Sequence, residues 1–288
     1  MENVIEIKNL NKKYEDFSLT NITLDIPKGS IVGLIGENGA GKSTLISSIL
    51  GIIKSSYDDL KIFGLDFKTD EIKIKKDIAV IFDQTHYDEE FTPNFIGQIL
   101  SRVYSNWDQM TYLKYLTQFK LPMKKKIKKF SRGMKMKLEF AIAFSHNAKL
   151  LILDEATSGL DPIVRDEILS IIREYTEDED HTVLMSSHIT SDLDKISDYI
   201  AYIHEGKLLF MKPYDELREE YGIIHAGKEL LDSLNKDDIV GYVKEAYSYT
   251  ILVKNRSSIQ SVFKDLEMMR PTVEEIMLFH VKGGCERC

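Results

Sequence analysis

The segment from Gly36 to Ser43 has residue types and a spacing that suit phosphate binding. It reads Gly-Glu-Asn-Gly-Ala-Gly-Lys-Ser and satisfies the pattern G-x-x-x-x-G-K-[ST]. Glycines let backbone N–H groups converge on phosphate oxygens, the lysine ammonium reaches the outer phosphates, and the serine hydroxyl ligates Mg²⁺. We therefore predict nucleotide binding by Gly36, Glu37, Asn38, Gly39, Ala40, Gly41, Lys42, Ser43 and Thr44.

A pair of carboxylates, Asp154 and Glu155, directly follows the apolar run Leu150–Leu153. Ligands bind at the carboxyl edge of the strands in open α/β sheets, so a buried strand that ends in acid places charge at that edge. We expect Asp154 to hold Mg²⁺ together with Ser43, and Glu155 to polarise the attacking water.

The elements that position these residues alternate between strand and helix. Ile31–Ile35, Leu150–Leu153 and Val183–Ser186 are continuous apolar runs, typical of buried parallel strands. Asp161-Pro162 is a strong helix start between the last two runs. Residues 4–26 instead alternate apolar and polar positions, which predicts short antiparallel strands. Together the patterns favour an α/β fold with a parallel core sheet.

Two further regions depart from this alternation. Between Asp83 and Met134 the pattern is mostly helical, with one helix opening at Thr92-Pro93 and another at Met110–Phe119. From Gly222 on, it predicts a small α+β appendage. Its elements are a helix at Lys228–Leu234, strands at Ile239–Val243 and Tyr249–Val253, a helix at Ser257–Leu266 and a final helix whose capping box is Thr272–Glu275.

With these motifs in order, the sequence resembles the ATP-binding subunits of ABC transporters over roughly residues 1–220. Tyr14, Gln84, Ser158-Gly159-Leu160-Asp161 and His188 match further motifs of that family. The resemblance implies that Tyr14 stacks on adenine, Gln84 senses Mg²⁺ as a ligand, Asp161 lies in a loop that crosses a dimer, and His188 contacts the γ-phosphate. It implies catalytic roles for Glu155, His188 and Gln84.

The resemblance also implies the domain organisation. Residues 1–221 are expected to form a P-loop NTPase domain of the ABC type, with a parallel core sheet, an antiparallel β subdomain and a helical subdomain at about 85–145. Residues 222–288 are expected to form a small accessory domain and tail.

The family's signature motif, usually Leu-Ser-Gly-Gly-Gln, is replaced here by Phe130-Ser131-Arg132-Gly133-Met134. Ser131 and Gly133 are kept, whereas Arg132 and Met134 depart from the pattern. In the family this motif acts in trans. The resemblance therefore implies a dimer that encloses two ATP molecules, each with Mg²⁺, between the P-loop of one subunit and the signature of the other. The second subunit is expected to be identical, with a heterodimer as the alternative.

Composition and spacing exclude several other classes. The formal net charge of −8 argues against a broadly cationic nucleic-acid surface. Only 112 positions separate Lys42 from Asp154, too few for the long coiled coil of DNA-repair ATPases, and a second P-loop, as in translation-associated relatives, is absent.

The longest uncharged stretch is 11 residues, whereas a membrane span needs roughly 20 apolar residues. The start of the chain lacks a secretory signal. We therefore expect a peripheral subunit on the cytoplasmic face of the membrane, bound to a separate integral membrane permease.

The direction of transport is suggested by two segments. Arg270–Ile276 and Phe130–Lys135 resemble segments of bacterial drug, antibiotic and peptide exporters, including exporters of phenol-soluble modulins. The hypothesis is an exporter of amphipathic peptides or antibiotics. The alternatives are the ATP-binding subunit of an importer and an ABC ATPase without a transport role.

Three further sequence features are interpreted without a functional role. The basic run Lys124–Lys129 is interpreted as a solvated loop, with anionic lipid or nucleic acid as the alternative. Asn235–Asp238 matches a guanine-reading pattern by coincidence. Cys285 and Cys288 are interpreted as a reduced tail instead of a redox or metal site.

Overall fold

The computed structural model describes residues 2–83 and 87–282, so Gln84, Cys285 and Cys288 lie outside the described residues. The chain forms two compact units. The first comprises the residues up to Ile189 together with Ala201–Met211, and the second comprises Thr190–Ile200 and the described residues from Lys212 onward.

The elements follow in chain order. Up to Ser186 they are β1 (Asn3–Lys13), β2 (Ser18–Pro27), β3 (Ile31–Ile35), α1 (Lys42–Ile49), β4 (Asp59–Ile62), β5 (Leu65–Asp66), α2 (Phe67–Lys76), β6 (Ile78–Ile81), α3 (Pro93–Val103), α4 (Gln109–Gln118), α5 (Arg132–Ser145), β7 (Leu150–Asp154), α6 (Pro162–Tyr175) and β8 (Thr182–Ser186). Thereafter they are α7 (Thr190–Ile196), β9 (Tyr199–His204), β10 (Lys207–Pro213), α8 (Tyr214–Glu220), β11 (Gly222–Ala226), α9 (Lys228–Ser233), β12 (Ile239–Lys244), β13 (Tyr249–Val253), α10 (Arg256–Val262) and α11 (Val273–Lys282). Short 3₁₀ turns cover Ile127–Lys129 and Lys236–Asp238.

The core of the first unit is a six-stranded sheet in the order β10-β9-β3-β8-β7-β6. The pairs β3–β8, β8–β7 and β7–β6 are parallel. Every residue of β3, β7 and β8 is buried, as expected for continuous apolar runs. The register places Asp154 opposite Ser186 at the carboxyl ends of β7 and β8. The predicted α/β fold with a parallel core sheet is confirmed.

A second sheet in this unit has the order β2-β1-β4-β5. β1 pairs antiparallel with β2 and with β4, which confirms the antiparallel strands predicted for residues 4–26. The apolar positions of β1 and β2 are buried and the polar ones between them are mostly not, so the period of two reflects one covered face. The strands β4 and β5 were not predicted, because each is four residues or shorter.

The helices α3, α4 and α5 occupy the predicted helical region. Thr92 caps α3 by accepting from the backbone N–H of Phe95 at 3.3 Å, with Pro93 as the first helical residue. Asp108 caps α4 in the same way, accepting from Met110 N–H at 2.8 Å. Both predicted helix starts in this region are confirmed to within about a residue.

The second unit contains a three-stranded antiparallel sheet in the order β11-β13-β12. Its buried cluster includes Ile224, Ile251, Val253 and Ile259. The predicted helix at Ser257–Leu266 is wrong in length, since α10 ends at Val262. Beyond it the backbone turns and the Gln260 side-chain amide donates to the carbonyls of Lys264 and Leu266, at 3.3 and 3.0 Å.

The final helix begins with the predicted capping box. The Thr272 hydroxyl oxygen accepts from Glu275 N–H at 3.2 Å, and the Glu275 carboxylate accepts from Thr272 N–H at 2.7 Å. The carboxylate of Asp194 in α7 accepts from Val273 N–H at 3.3 Å and from the Tyr214 hydroxyl at 3.0 Å. These bonds explain why α7 belongs to the second unit. An accessory domain that starts at Gly222 stays a prediction, because the compact unit already resumes at Lys212.

Candidate active site

The phosphate loop joins β3 to α1 and depends on two of its glycines. A Cβ on Gly36 would lie 2.3 Å from the carbonyl oxygen of Ile203. The backbone at Gly36 is therefore too close to that of Ile203 for any residue with a side chain. Gly41, which precedes α1, has φ 111°, a conformation that residues with a side chain rarely adopt. The loop therefore needs glycine at both of these motif positions.

Lys42 is buried inside this loop, with 6% of its surface exposed. Its ammonium donates to the carbonyl oxygens of Gly36 at 2.8 Å and Glu37 at 3.3 Å, and lies 3.6 Å from Glu155 Oε1. A buried cation requires such partners, because an isolated charge in the interior is costly. The loop carbonyls and Glu155 therefore hold the positively charged Lys42 ammonium inside the loop.

Asp154 is held by two hydroxyl groups. Ser43 Oγ donates to Asp154 Oδ1 at 3.1 Å, and Ser186 Oγ donates to the same oxygen at 2.6 Å. A hydroxyl and a carboxylate side by side are ligands that Mg²⁺ prefers, and Ser43 stands at the Mg²⁺-binding position of the phosphate-loop motif. The residues present therefore fit a magnesium ion at this edge of the sheet.

Glu155 lies between a lysine and a histidine. Its backbone has φ 55° and its N–H donates to the Ser186 carbonyl oxygen at 3.2 Å. Its Oε2 accepts from the backbone N–H of His188 at 3.4 Å and pairs closely with His188 Nδ1. Its other oxygen faces Lys42. The carboxylate is thus fixed from both sides at the carboxyl ends of β7 and β8.

Lys42, Ser43, Glu155 and His188 line one cavity of about 720 Å³, a size suited to a nucleotide, and Asp154 is bonded to Ser43 without being among the described lining residues. The predicted residues that line it are Tyr14, Glu37, Asn38, Gly39, Gly41, Lys42, Ser43, Thr44, Glu155 and His188. Gly36 and Ala40 belong to the same loop but are not among the described lining residues, and the carbonyl oxygen of Ala40 accepts from Gly206 N–H at 3.0 Å. The described lining residues also include Asp16, Phe17 and Asp83, which were not predicted, and Ser158, which belongs to the predicted loop motif that ends at Asp161.

Tyr14 lies at the rim of this cavity with 43% of its surface exposed. Its backbone N–H donates to Phe17 O at 2.8 Å, so the turn between β1 and β2 brings Tyr14, Asp16 and Phe17 together. The ammonium of Lys12 lies 4.9 Å from the centre of the Tyr14 ring. The ring is therefore held by a cation–π contact at the place predicted for base stacking.

Ser131 and Asp161 each cap a helix, and neither is among the described residues that line this cavity, although Ser158 in the loop before α6 is. Ser131 caps α5, its hydroxyl accepting from Met134 N–H at 3.2 Å, and Asp161 caps α6 by accepting from Val164 N–H at 3.1 Å. None of the described residues lining the nucleotide cavity belongs to the signature. Gln84, the remaining predicted site residue, lies outside the described ranges.

Comparison with known proteins identifies the family. Residues 19–158 match the family described as ABC transporter. The chain is 33% identical over 222 residues to the bacitracin transport ATP-binding protein BcrA of Bacillus licheniformis, which covers 76% of this chain and 72% of that protein. This chain belongs to the ABC transporter ATP-binding proteins. The lantibiotic transport ATP-binding protein SrtF of Streptococcus pyogenes is also 33% identical, over 215 residues that cover 74% of this chain and 92% of SrtF.

A solved structure agrees with this assignment. The ATP-binding subunit of an ABC transporter superposes with a TM-score of 0.68 at 26% identity, covering 75% of this chain and 92% of that one. This ABC ATPase therefore binds and hydrolyses ATP, and belongs with subunits that dimerise and work with a membrane permease.

Across residues 2–83 and 87–282, the helices are all too short or too polar to cross a membrane.

The basic run next to the signature is partly neutralised. Lys126 and Lys128 both pair with the carboxylate of Glu90, and their hydrogen bonds lower the pKa of that carboxyl to about 2. Lys135 pairs with the neighbouring Glu89. These pairs favour the predicted solvated loop over a free anion-binding patch.

Proposed function

We propose that this ABC ATPase is the motor of an exporter and acts at the cytoplasmic face of the membrane, where it drives a separate permease that moves amphipathic peptides or antibiotics outward. The observation that carries the motor function is the meeting of Lys42, Asp154, Glu155 and His188 at one edge of the parallel sheet. The export function is supported by relatives named for the transport of bacitracin and of lantibiotics.

The nucleotide is proposed to occupy the cavity with its base on Tyr14 and its phosphates in the loop. Backbone N–H groups of the loop and the N-terminus of α1 face the phosphates, and the Lys42 ammonium neutralises their charge. Ser43 and Asp154 would hold Mg²⁺, with Gln84 as a further ligand. When bound, Mg²⁺ would stabilise charge on the transferring phosphoryl group.

Glu155 is proposed to orient the attacking water and accept its proton. The carboxylate is already placed by Lys42 on one side and His188 on the other, so it need not reorganise during the reaction. His188 is then available to contact the γ-phosphate with its other ring nitrogen. Removing either side chain should lower turnover more than it lowers ATP affinity.

Dimerisation is proposed to complete each site. Ser131, Arg132, Gly133 and Met134 form the first turn of α5, whose N-terminus favours an anion. We infer that these residues act on the nucleotide of a second subunit; this is supported by their being outside the described residues that line the cavity of their own chain. The proposed assembly is a homodimer with two ATP sites, with a heterodimer as the alternative, and with no nucleic acid partner.

The export proposal is tested in cells that lack the native gene. Complementation with the native protein should restore tolerance to a cationic amphipathic peptide, and Lys42→Ala should leave tolerance about tenfold lower. Lys149→Ala is the matched control, because it removes an exposed lysine whose 3.5 Å pair with Asp77 lies on the surface. Loss of solute uptake without any change in peptide tolerance would support the importer alternative, and failure to co-purify a polytopic membrane protein would contradict a transport role.

A further inference from the structure

Arg132, which stands where the family pattern has glycine, contacts two other functional segments of its own chain. Its guanidinium donates to the backbone carbonyl oxygen of Asp83 at 3.5 Å. Asp83 immediately precedes Gln84 in the sequence. The same guanidinium lies against Gly159, in the loop that leads to α6. One side chain therefore touches the residue before Gln84 and the loop before Asp161.

The contact with Gly159 depends on the absence of a side chain there. A Cβ on Gly159 would lie 2.9 Å from Arg132 Nη1 and 3.0 Å from Arg132 Cζ. Gly159 also has φ 67°, so glycine is favoured at this position by both conformation and space. The arginine and the glycine thus form a matched pair.

The next residue of the signature packs against the same region. A Cβ on Gly133 would lie 3.1 Å from Val164 Cγ1, and Val164 donates its N–H to the helix cap Asp161. The first two residues of α5 therefore abut both the loop and the first turn of α6. Movement of α5 is expected to carry this loop with it, because close-packed contacts transmit displacement.

Arg132 is also separate from the nucleotide cavity of its own chain. It lines a neighbouring cavity of about 320 Å³ together with Asp83, Glu89, Phe130 and Lys135. A planar guanidinium presents several donors in a rigid fork, which suits it to hold backbone segments at a fixed separation. A glycine at this position offers no such link.

We propose that Arg132 is a positioning residue that fixes the signature of this chain to its loop at Gly159 and to the segment before Gln84. The signature, the loop and that segment then approach the partner subunit together. This inference rests on the proposed function, in which the signature acts on the partner's nucleotide. The larger side chain of Arg132, in place of the family's glycine, is then accommodated because Gly159 leaves space for its guanidinium.

Turnover and ATP affinity of the purified protein provide the first test. Arg132→Gly should lower kcat about tenfold with KM for ATP changed less than twofold, because the inferred role of Arg132 is to hold the backbone at Asp83 and Gly159 of its own chain and not to contact ATP. Arg132→Lys, which keeps the charge and a donor, should recover part of the lost turnover. Lys137→Gln is the matched control on the same helix: it removes a 2.7 Å bond to Glu167 in α6, away from Gly159, and should leave kcat within twofold.

A double-mutant cycle with Gly159→Ala then identifies the contact. Gly159→Ala should lower kcat several-fold in the native background but less than twofold in the Arg132→Gly background. The backbone strain of alanine at φ 67° is present in both backgrounds and cancels in this comparison. Effects that multiply independently, or an Arg132→Gly variant with native kcat, would overturn the inference. The proposed function fails separately if the native protein and Lys42→Ala hydrolyse ATP at the same rate.

Discussion

Ser186 joins the two acidic residues of the site. It is fully buried, donates its hydroxyl to Asp154 at 2.6 Å, and accepts from Glu155 N–H at 3.2 Å. The parallel register places it directly opposite Asp154. Groups that orient a metal ligand commonly contribute tenfold or more to metal affinity, so Ser186 is expected to matter for Mg²⁺ without contacting ATP.

Ser186→Ala should raise the Mg²⁺ concentration that gives half-maximal ATP hydrolysis by about tenfold, because Asp154 loses one of its two hydroxyl donors. Magnesium titration of steady-state turnover measures this shift. Ser187→Ala is the control, since the Ser187 hydroxyl bonds to the backbone of Ile189 instead. An unchanged magnesium dependence in Ser186→Ala would contradict the orienting role.

The residues of the phosphate loop could be predicted because their chemistry is local to one segment. The cavity residues Asp16, Phe17 and Asp83 could not, because they come from loops that meet the phosphate loop only in the folded chain. Ser186 gave one weak signal, a hydroxyl at the end of an otherwise apolar strand. Its partner Asp154 follows from strand register, which requires the order of strands in the sheet.

At the scale of elements, the end of α5 is fixed by a buried histidine. His146 is 2% exposed, and its two ring nitrogens lie 3.3 Å from the carbonyl oxygens of Ile142 and Ile78. Its ring stacks on Tyr104 with centroids 4.3 Å apart. Burial lowers the pKa of His146 below its ordinary value, and this exceeds the opposing effect of the two carbonyls. Just below pH 6.5, His146 therefore binds a proton less often in the folded protein than in the unfolded chain.

The stability contributed by neutral His146 should be fully present above pH 6.5 and lost as pH falls below it. His146→Gln should therefore show a smaller drop in the free energy of unfolding between pH 7.5 and pH 5.5 than the native protein. Urea unfolding at the two pH values measures the difference. Tyr104→Phe keeps the stacked ring and the histidine, and should retain the native drop. An equal drop in His146→Gln would contradict the argument.

Strands and helices were predictable where the pattern was long or capped. The runs at β3, β7 and β8 and the caps at Thr92 and Thr272 carry strong local signals. The strands β4 and β5 are too short for a periodic signal, and they form by pairing in the folded chain, β4 with the edge of β1 and β5 with β4. The early end of α10 depends on a side chain that bonds to the turn beyond it.

At the scale of the whole molecule, the proposed function requires a second subunit to bring two groups of residues together. The P-loop, Glu155 and His188 share a cavity, whereas the described residues that line it include none of the signature. We therefore expect a single subunit to bind ATP without enclosing it. We predict that ATP binding and dimerisation are coupled, and that hydrolysis, in which Glu155 is proposed to act, reopens the dimer.

The most direct measurement is the mass in solution of Glu155→Gln with ATP and Mg²⁺, by light scattering during gel filtration, together with its turnover. We expect a particle of twice the 33.2 kDa of one chain, with turnover at least about 100-fold below the native protein, since a general base contributes that much. With ADP, or with Lys42→Ala added, the same protein should run as a monomer. A Glu155→Gln protein that stays monomeric in ATP and hydrolyses it at the native rate would contradict the account.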